Sequence, residues 1–378
     1  MQLSCTHENL ATALTYLEWV VGRQNHLPIL SNILFEAEAG RLRLSATNLE
    51  IGVIVTLGVK VEQEGKVALP AKLLTQFIQS SSTQEVLTLT QVGNQVVVEN
   101  GRDEIRINSV ESKDFPLIPE YTQTYPLELP VRVLSEALKK VLFAVSTNES
   151  RIELTGVLLT ASDRGIHLVA TDSFRLSEVT LPQVDSESYK TLQAFLQTKN
   201  GIILPVETLQ ELSRVIEHEA VSVHMALEDN QVFFEIGGVR IVSRVIQGKY
   251  PDYQQILPKE FQSTITLPRG ELIRSLKMAA SFAQYGSGEV QFVISAEKST
   301  LEIVTTSSGV GEQRTTLILT QPPSEDKTFI FQPRHLLEGM NAFSSETIIL
   351  HLNTKDMPVL LTGDNPESQI YLVMPIRK

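Results

Sequence analysis

The sequence predicts an α+β protein made of three repeated domains, each with two helices packed on antiparallel sheets. Three observations carry this reading. A helix opening recurs three times, as Leu69-Pro70-Ala71-Lys72-Leu73-Leu74, Leu204-Pro205-Val206-Glu207-Thr208-Leu209 and Gln332-Pro333-Arg334-His335-Leu336-Leu337, with the prolines 135 and 128 residues apart. That period is too long for a solenoid unit and is the size of a whole domain. Each copy also shows the same order: a helix with an apolar stripe, a hairpin, a second helix and closing strands, the pattern of helices laid on one face of a sheet.

The first helix of each copy spans roughly 8–23, 130–146 and 268–283. Apolar residues recur at helical spacing: Leu10, Leu14, Leu17 and Val21; Leu134, Leu138, Val141, Leu142 and Val145; Leu272, Ile273, Leu276, Ala279 and Ala280. Pro130 and Pro268 stand where a helix start tolerates proline best. The second helices span roughly 71–80, 205–218 and 333–343. Their stripes, such as Leu73, Leu74, Phe77 and Ile78, read as core faces. The hairpins are Ile33 to Thr47 about Gly40, Gly156 to Thr171 about Asp163-Arg164-Gly165, and Val290 to Thr306 about Glu297-Lys298-Ser299. The proline-rich stretches 118–128 and 251–264 read as linkers. They give domains over 1–120, 127–251 and 256–378.

Composition limits the function. With 378 residues and 42% hydrophobic side chains, the chain has material for two or three real cores. No apolar run is long enough to span a membrane, and the N-terminus lacks the basic and apolar regions of a secretory signal. The single Cys5 permits no internal disulfide, which fits a reducing cytoplasm, and it reads as a small residue of the first strand rather than a nucleophile. Phosphate-loop, dinucleotide and zinc motifs are missing, and the seven histidines are scattered, so no catalytic residues, cofactor or metal are expected. Gly286-Ser287-Gly288 reads as a turn, and Asp172 with Arg175 as a charge pair at a hairpin end.

Charge is unevenly spread. Net charge is −12, which argues against a surface that coats nucleic acid. Yet the six helical windows carry ten Lys/Arg against eight Asp/Glu, while the rest of the chain carries 22 against 36. A mildly basic set of helices on an acidic body suits a protein that stays near DNA through a few weak phosphate contacts.

Six motifs in order resemble the bacterial DNA polymerase III beta subunit family, the DNA sliding clamps, over the whole length. They are His26-Leu27-Pro28-Ile29-Leu30-Ser31-Asn32-Ile33-Leu34, Ala46-Thr47-Asn48-Leu49-Glu50, Ser112-Lys113-Asp114-Phe115-Pro116, Ala170-Thr171-Asp172-Ser173-Phe174-Arg175-Leu176, Gly248-Lys249-Tyr250-Pro251-Asp252-Tyr253 and Tyr371-Leu372-Val373-Met374-Pro375-Ile376-Arg377. The resemblance implies a head-to-tail homodimer that closes a ring, helices inside, around duplex DNA without sequence specificity. Twelve helices about 10 Å wide would leave a hole of roughly 28 Å. It implies tethering of the polymerase III alpha subunit, a clamp loader and other proteins carrying a clamp-binding motif, which raises effective concentration.

The family's partner-peptide pocket carries over onto Leu154, Thr171, Ser173, Phe174, Arg175, Leu176, Pro251, Gln255, Ile256, Pro358, Val373, Met374, Pro375, Ile376 and Arg377. An apolar chain end such as Val373-Met374-Pro375-Ile376 is expected to dock rather than fray, and Met374 suits an adaptable wall. Phe174, Ser173 and Gln255 replace the histidine, glycine and arginine of other members, which alters the pocket's polarity. DNA-facing residues are expected at Arg23, Lys72, Lys139, Lys140, Arg214, Arg274 and Lys277, and the dimer interface at Glu104, Ile105, Ile107 and Phe282, with the isoleucines and phenylalanine exposed.

Overall fold

The computed structural model describes residues 1–21, 27–81, 86–216, 222–321 and 324–377. The first repeat runs β1 (Gln2–Thr6), α1 (His7–Glu18), β2 (Asn32–Glu38), β3 (Arg41–Thr47), β4 (Ile51–Gly58), β5 (Lys60–Gln63), β6 (Gly65–Pro70), α2 (Ala71–Ser80), β7 (Val86–Val92), β8 (Gln95–Asn100) and β9 (Asp103–Asn108). The second runs β10 (Leu127–Pro130), α3 (Val131–Val141), β11 (Gly156–Ser162), β12 (Gly165–Thr171), β13 (Arg175–Thr180), α4 (Glu187–Lys199), β14 (Ile202–Pro205), α5 (Val206–Ile216), β15 (Ser222–Glu228), β16 (Gln231–Ile236) and β17 (Val239–Arg244). The third runs β18 (Ser263–Pro268), α6 (Arg269–Ala283), β19 (Val290–Ser295), β20 (Thr300–Ser307), β21 (Gly311–Ile318), β22 (Lys327–Phe331), α7 (Pro333–Ala342), β23 (Thr347–Leu352), β24 (Val359–Thr362) and β25 (Gln369–Val373).

The apolar stripes fix the six expected helices. Leu10, Leu14 and Leu17 of α1, Leu74 and Ile78 of α2, Leu272, Leu276 and Ala279 of α6, and Leu336 and Met340 of α7 are all buried. Two helices are shorter than their periodicity suggests. At the end of α1 the Val20 and Val21 amides both bond to the Leu17 carbonyl, so the chain winds off as a turn. After α3, Leu142–Ala144 tighten into a 3-10 turn. One helix was not expected. The α4 helix starts where the Ser186 hydroxyl accepts from the Tyr189 amide, buries Tyr189, Leu192 and Leu196, and stops at Asn200 in the left-handed region.

The chain divides into two compact units. The first contains Met1–Ser135 and Glu207–Val245, the second Glu136–Val206 and Ile246–Lys378. Each unit holds an eight-stranded antiparallel sheet to which two repeats contribute four strands apiece. In the first unit the order is β10-β15-β16-β17-β4-β3-β2-β6, and in the second β14-β11-β12-β13-β25-β24-β23-β18. The first unit adds a five-stranded sheet, β5-β1-β7-β8-β9, and the second a four-stranded one, β21-β20-β19-β22. The joins are β17 to β4 and β13 to β25, and both are antiparallel. Each therefore pairs the last strand of one repeat with the strand after the hairpin of another. Two strands of these same kinds, β9 and β21, are left as sheet edges.

The proline-rich stretches are not loose linkers. The Tyr121 and Tyr125 rings lie 5.0 Å apart, tilted by 59°, and pack with Ile118 over Ala226, Phe233 and Val242. Tyr250 and Tyr253 are buried in the second unit. A strap that carries aromatic side chains gains more from covering the sheet than from staying solvated.

Candidate functional site

The segment from Ala170 to Arg175 turns sharply between β12 and β13. The Thr171 hydroxyl donates to the Arg175 carbonyl (2.6 Å) and accepts from the Ser173 amide (3.1 Å), while Asp172 Oδ1 accepts from the Phe174 and Arg175 amides at 2.9 and 3.0 Å. Ser173 sits at φ 77°, a region open to short polar side chains. The chain end docks on this turn. Val373 pairs with Arg175, the Met374 amide donates to the Phe174 carbonyl (2.8 Å), and the Ile376 amide donates to the Ile330 carbonyl (2.7 Å).

An apolar cluster lies beside the join. Leu154 and Leu176 are buried in it, and Met374 packs against it half-buried. Around them stand Leu158, Val169, Ile203, Tyr250, Tyr253, Leu360 and Leu372, with Ile246, Leu257, Phe261 and Ile370 partly buried. None of these was singled out from the sequence as a site residue. The aromatic pair of Tyr250-Pro251-Asp252-Tyr253 was its readable signal. Burial drives both phenols well above their ordinary range. Pro251 and Pro358 are half-buried, Val373 and Pro375 buried, and Gln255, Ile256 and Arg377 exposed. Gln255 donates to Asp252 Oδ2 at 2.8 Å. Phe174 is 63% exposed, its ring 6.4 Å from that of His335 on α7.

Arg175, a pocket residue by the resemblance, turns inward. Its side chain is buried, and its guanidinium donates to Asp172 Oδ2 (3.0 Å), to Glu338 Oε2 and to the Phe143 carbonyl (2.6 Å), lying 5.3 Å from the Phe143 ring. The expected Asp172–Arg175 charge pair is present, but the head group points to α7 and is not open to a polar ligand atom. Glu338 also accepts from Arg334 at 2.8 Å. Burial alone would raise the Glu338 carboxyl, but the bonds from Arg334 and Arg175 outweigh it and hold the group below the usual range. Burial, reinforced by Arg175, pushes the His335 imidazole down.

The candidate DNA contacts fall into three groups. Lys72, Lys139, Arg274 and Lys277 are exposed on α2, α3 and α6, Lys140 is half-buried on α3, and none forms an ion pair among the described residues. Arg214 is committed elsewhere. It pairs with Glu211 and lies 4.1 Å from the centre of the Trp19 ring, so its charge is largely used within its own unit. Arg23 lies outside the described residues. The candidate interface residues are less open than expected. Ile107 is 1% exposed and Ile105 and Phe282 are half-buried, while Glu104 is exposed and pairs with Arg106 at 2.8 Å. Ile105 and Ile107 share one face of β9; Ile107 lies in the core and Ile105 stays half-buried.

Among the described residues no three His, Cys, Asp or Glu side chains are grouped to hold a metal ion, and no helix is long and apolar enough to cross a membrane. Repeats fused through shared sheets, a docked chain end beside an apolar cluster, and lysines and an arginine that form no ion pair among the described residues define a binding scaffold of clamp architecture. Family profiles agree along the chain: the N-terminal, central and C-terminal domains of the DNA polymerase III beta subunit match residues 1–119, 128–252 and 254–377. A Beta sliding clamp of Synechocystis sp. is 30% identical over 391 residues, covering 100% of this chain and 99% of the relative. The beta subunit of Streptococcus pyogenes superposes with a TM-score of 0.88 at 26% identity and the sliding clamp of Bacillus subtilis with 0.91 at 21%, each covering 100% of this chain and at least 99% of the other. The chain belongs to the DNA polymerase III beta subunit family and is a sliding clamp, a replication processivity factor and not an enzyme.

Proposed function

We propose that two copies of this chain close head to tail into a ring around duplex DNA and tether the replicative polymerase, the clamp loader and other DNA-processing proteins in the cytoplasm. The observation that carries the reading is the strand rule of the two joins. Each join pairs a last strand with a strand that follows a hairpin, β17 with β4 and β13 with β25. The strands left over are one of each kind, β9 and β21. A second copy supplies the missing partner at both ends, and edges that would otherwise template aggregation are removed. In this reading Glu104 and Ile105 meet the neighbour's β21, with Phe282 nearby. The three domains are those delimited as 1–120, 127–251 and 256–378.

Lys72, Lys139, Lys140, Arg274 and Lys277 act as the DNA-facing cations. Their small number makes contact with a short duplex weak and salt-sensitive, so retention comes from encirclement. The apolar cluster around Leu154, Leu176 and Met374 takes the apolar end of a partner peptide, at about micromolar strength, near −8 kcal/mol. Avidity on the ring supplies the rest. Light scattering is expected to give a dimer, and the loaded protein is expected to remain on a nicked circle but leave once the circle is linearised. A monomer at working concentration, or tight sequence-selective binding to a short oligonucleotide, refutes the reading.

A further inference from the structure

The two joins share a backbone. At the β13–β25 join, Thr171 bonds the Arg175 carbonyl and the Met374 amide bonds the Phe174 carbonyl. At the β17–β4 join of the first unit, Thr47 bonds the Ile51 carbonyl (2.8 Å) and the Arg244 amide bonds the Glu50 carbonyl (3.1 Å). Leu49 takes the left-handed conformation of Ser173, φ 76° against 77°. Before each hairpin, a hydroxyl closes the same turn, Ser31 onto the Pro28 carbonyl and Thr155 onto the Ile152 carbonyl. Phe115 packs on Leu34 and Ala68 as Tyr250 packs on Leu158 and Ile203. By these matches Leu27, Leu49, Leu117 and Arg244 occupy the positions of Arg151, Ser173, Asp252 and Met374.

The side chains differ in a consistent way. In the second unit Arg151 donates to the Ser173 hydroxyl at 3.1 Å, so these two positions touch and are polar. In the first unit the corresponding positions are leucines, and all three leucines are exposed: Leu27 49%, Leu49 48% and Leu117 97%. Exposed leucines are ordinary singly, but these three stand at matched positions around one turn, where two of the corresponding side chains of the second unit touch. The floor of this first-unit surface is shallow. Gly52 stands in the place of Leu176, and the Ile118 side chain lies where a Cβ at Gly52 would be, 2.6 Å away. Arg244 is exposed, and its guanidinium has no ion pair among the described residues. The Glu50 carboxylate on the adjacent loop is exposed as well.

We infer that this surface of the first unit is a second peptide-docking site, for a segment that combines aliphatic side chains with an acidic residue. The aliphatic groups cover Leu27, Leu49 and Leu117, and the acid pairs with Arg244. The inference rests on the peptide-tethering function proposed for the second unit, because the shared backbone is its warrant. The shallow floor makes this the weaker of the two sites, and the cation makes it sensitive to salt.

A fluorescein-labelled Glu-Leu-Leu-Phe peptide tests it by anisotropy on the full chain, a chain lacking residues 374–378, and the truncated chain with Leu49→Asp or Arg244→Gln. The truncated chain is expected to keep one site, weaker than the full chain's first, whose affinity falls more than tenfold with Leu49→Asp and about threefold with Arg244→Gln or with added salt. Should truncation compromise folding, Met374→Asp in the full chain takes its place. No residual binding, or residual binding indifferent to Leu49→Asp, overturns the inference. Self-association of the full chain that Leu49→Asp abolishes overturns it too, by making the surface a contact between copies. If truncation leaves the main affinity unchanged while a site sensitive to Leu49→Asp remains, the second-unit pocket is what fails and this site stands.

Discussion

Replacing Arg175 by methionine is expected to destabilise the second unit by about 2–4 kcal/mol and to weaken peptide binding without removing any atom that lines the apolar cluster. The magnitude follows from what the guanidinium holds. Hydrogen bonds involving a charged group contribute about 1.5–3 kcal/mol each, and breaking a buried pair costs about 3–5 kcal/mol when the partner is stranded. Here the partners are not fully stranded. Glu338 keeps Arg334, and Asp172 keeps the amides at positions 174 and 175. Methionine also fills part of the volume, so the expected cost lies at or just below the low end of the buried-pair range rather than at the sum of the separate bonds. Glu338→Gln, which still offers an acceptor, is expected to cost about 1 kcal/mol. Urea unfolding monitored with peptide titration separates two roles for Arg175. As a positioning residue, it holds the turn that carries Phe174 and receives Met374, so Glu338→Gln weakens the peptide as well. As a direct ligand, only the Arg175 variant weakens it. An Arg175→Met protein within 0.5 kcal/mol of the parent refutes the reasoning. The depressed Glu338 carboxyl adds a sign: its stabilisation is present above the unfolded carboxylate range, near pH 4.3, and is lost as pH falls through the lower folded value. Glu338→Gln should flatten that limb.

Other outcomes are equally specific. Gly339→Ala should unfold the second unit at markedly lower urea, by about 1–3 kcal/mol or more, because the added methyl would lie 2.1 Å from the Tyr371 ring on β25; an unchanged midpoint would show that α7 does not rest there. Cys5 is buried, which pushes its thiol up to about 12, so it should resist a thiol reagent until the chain unfolds; fast labelling of the native protein contradicts this. His167 is 2% exposed, with Nε2 bonded to Ser162 (2.6 Å) and Nδ1 to Thr180 (3.1 Å), and burial, added to by Arg164 and opposed by Glu178, lowers its pKa. The unfolded chain then binds the proton more readily, so stability should fall as pH drops below about 6.5, and His167→Gln should lessen the slope. Ile105→Asp on β9 should yield folded monomers by light scattering, and a persistent dimer would remove β9 from the proposed interface.

The sequence made local order legible and left long-range partnership hidden. The stripes of α1, α2, α6 and α7 repeat every three to four residues, and the hairpin turns are marked by glycine or short polar clusters, so their places could be read directly. The α4 helix escaped because only Tyr189, Leu192 and Leu196 mark its face, a stripe too short to stand out. Arg175 was legible as half of a local charge pair with Asp172, but its second carboxylate, Glu338, is 163 residues away. Nothing in the spacing announces such a partner. Arg214 counted as a free cation because its aromatic neighbour, Trp19, belongs to another repeat. Ile107 is expected at an interface, yet alternation along β9 sends it into the core while Ile105 stays half-buried, and period two could have given that warning.

The duplicated join also explains how one backbone comes to serve different ends. A hairpin turn whose threonine hydroxyl donates to the carbonyl four residues further on appears at both joins, and each receives the end of a neighbouring strand through one amide. That geometry is set by backbone bonds and a short polar side chain, so it survives replacement of the residues around it. The floor then decides depth. Leu176 with Tyr253 beside it leaves a cluster that accepts Met374, whereas Gly52 lets Ile118 descend onto the strand and fill the same space. The rim decides chemistry, through Arg151 and Ser173 in one unit and Leu27 and Leu49 in the other. Restoring bulk at the floor is therefore a sharper probe than altering the rim: Gly52→Leu must push Ile118 outward, and the first unit should lose stability by about 1–3 kcal/mol while its groove deepens. If the variant instead melts like its parent, Ile118 is not seated on the strand, and the contrast between the joins cannot arise from the floor.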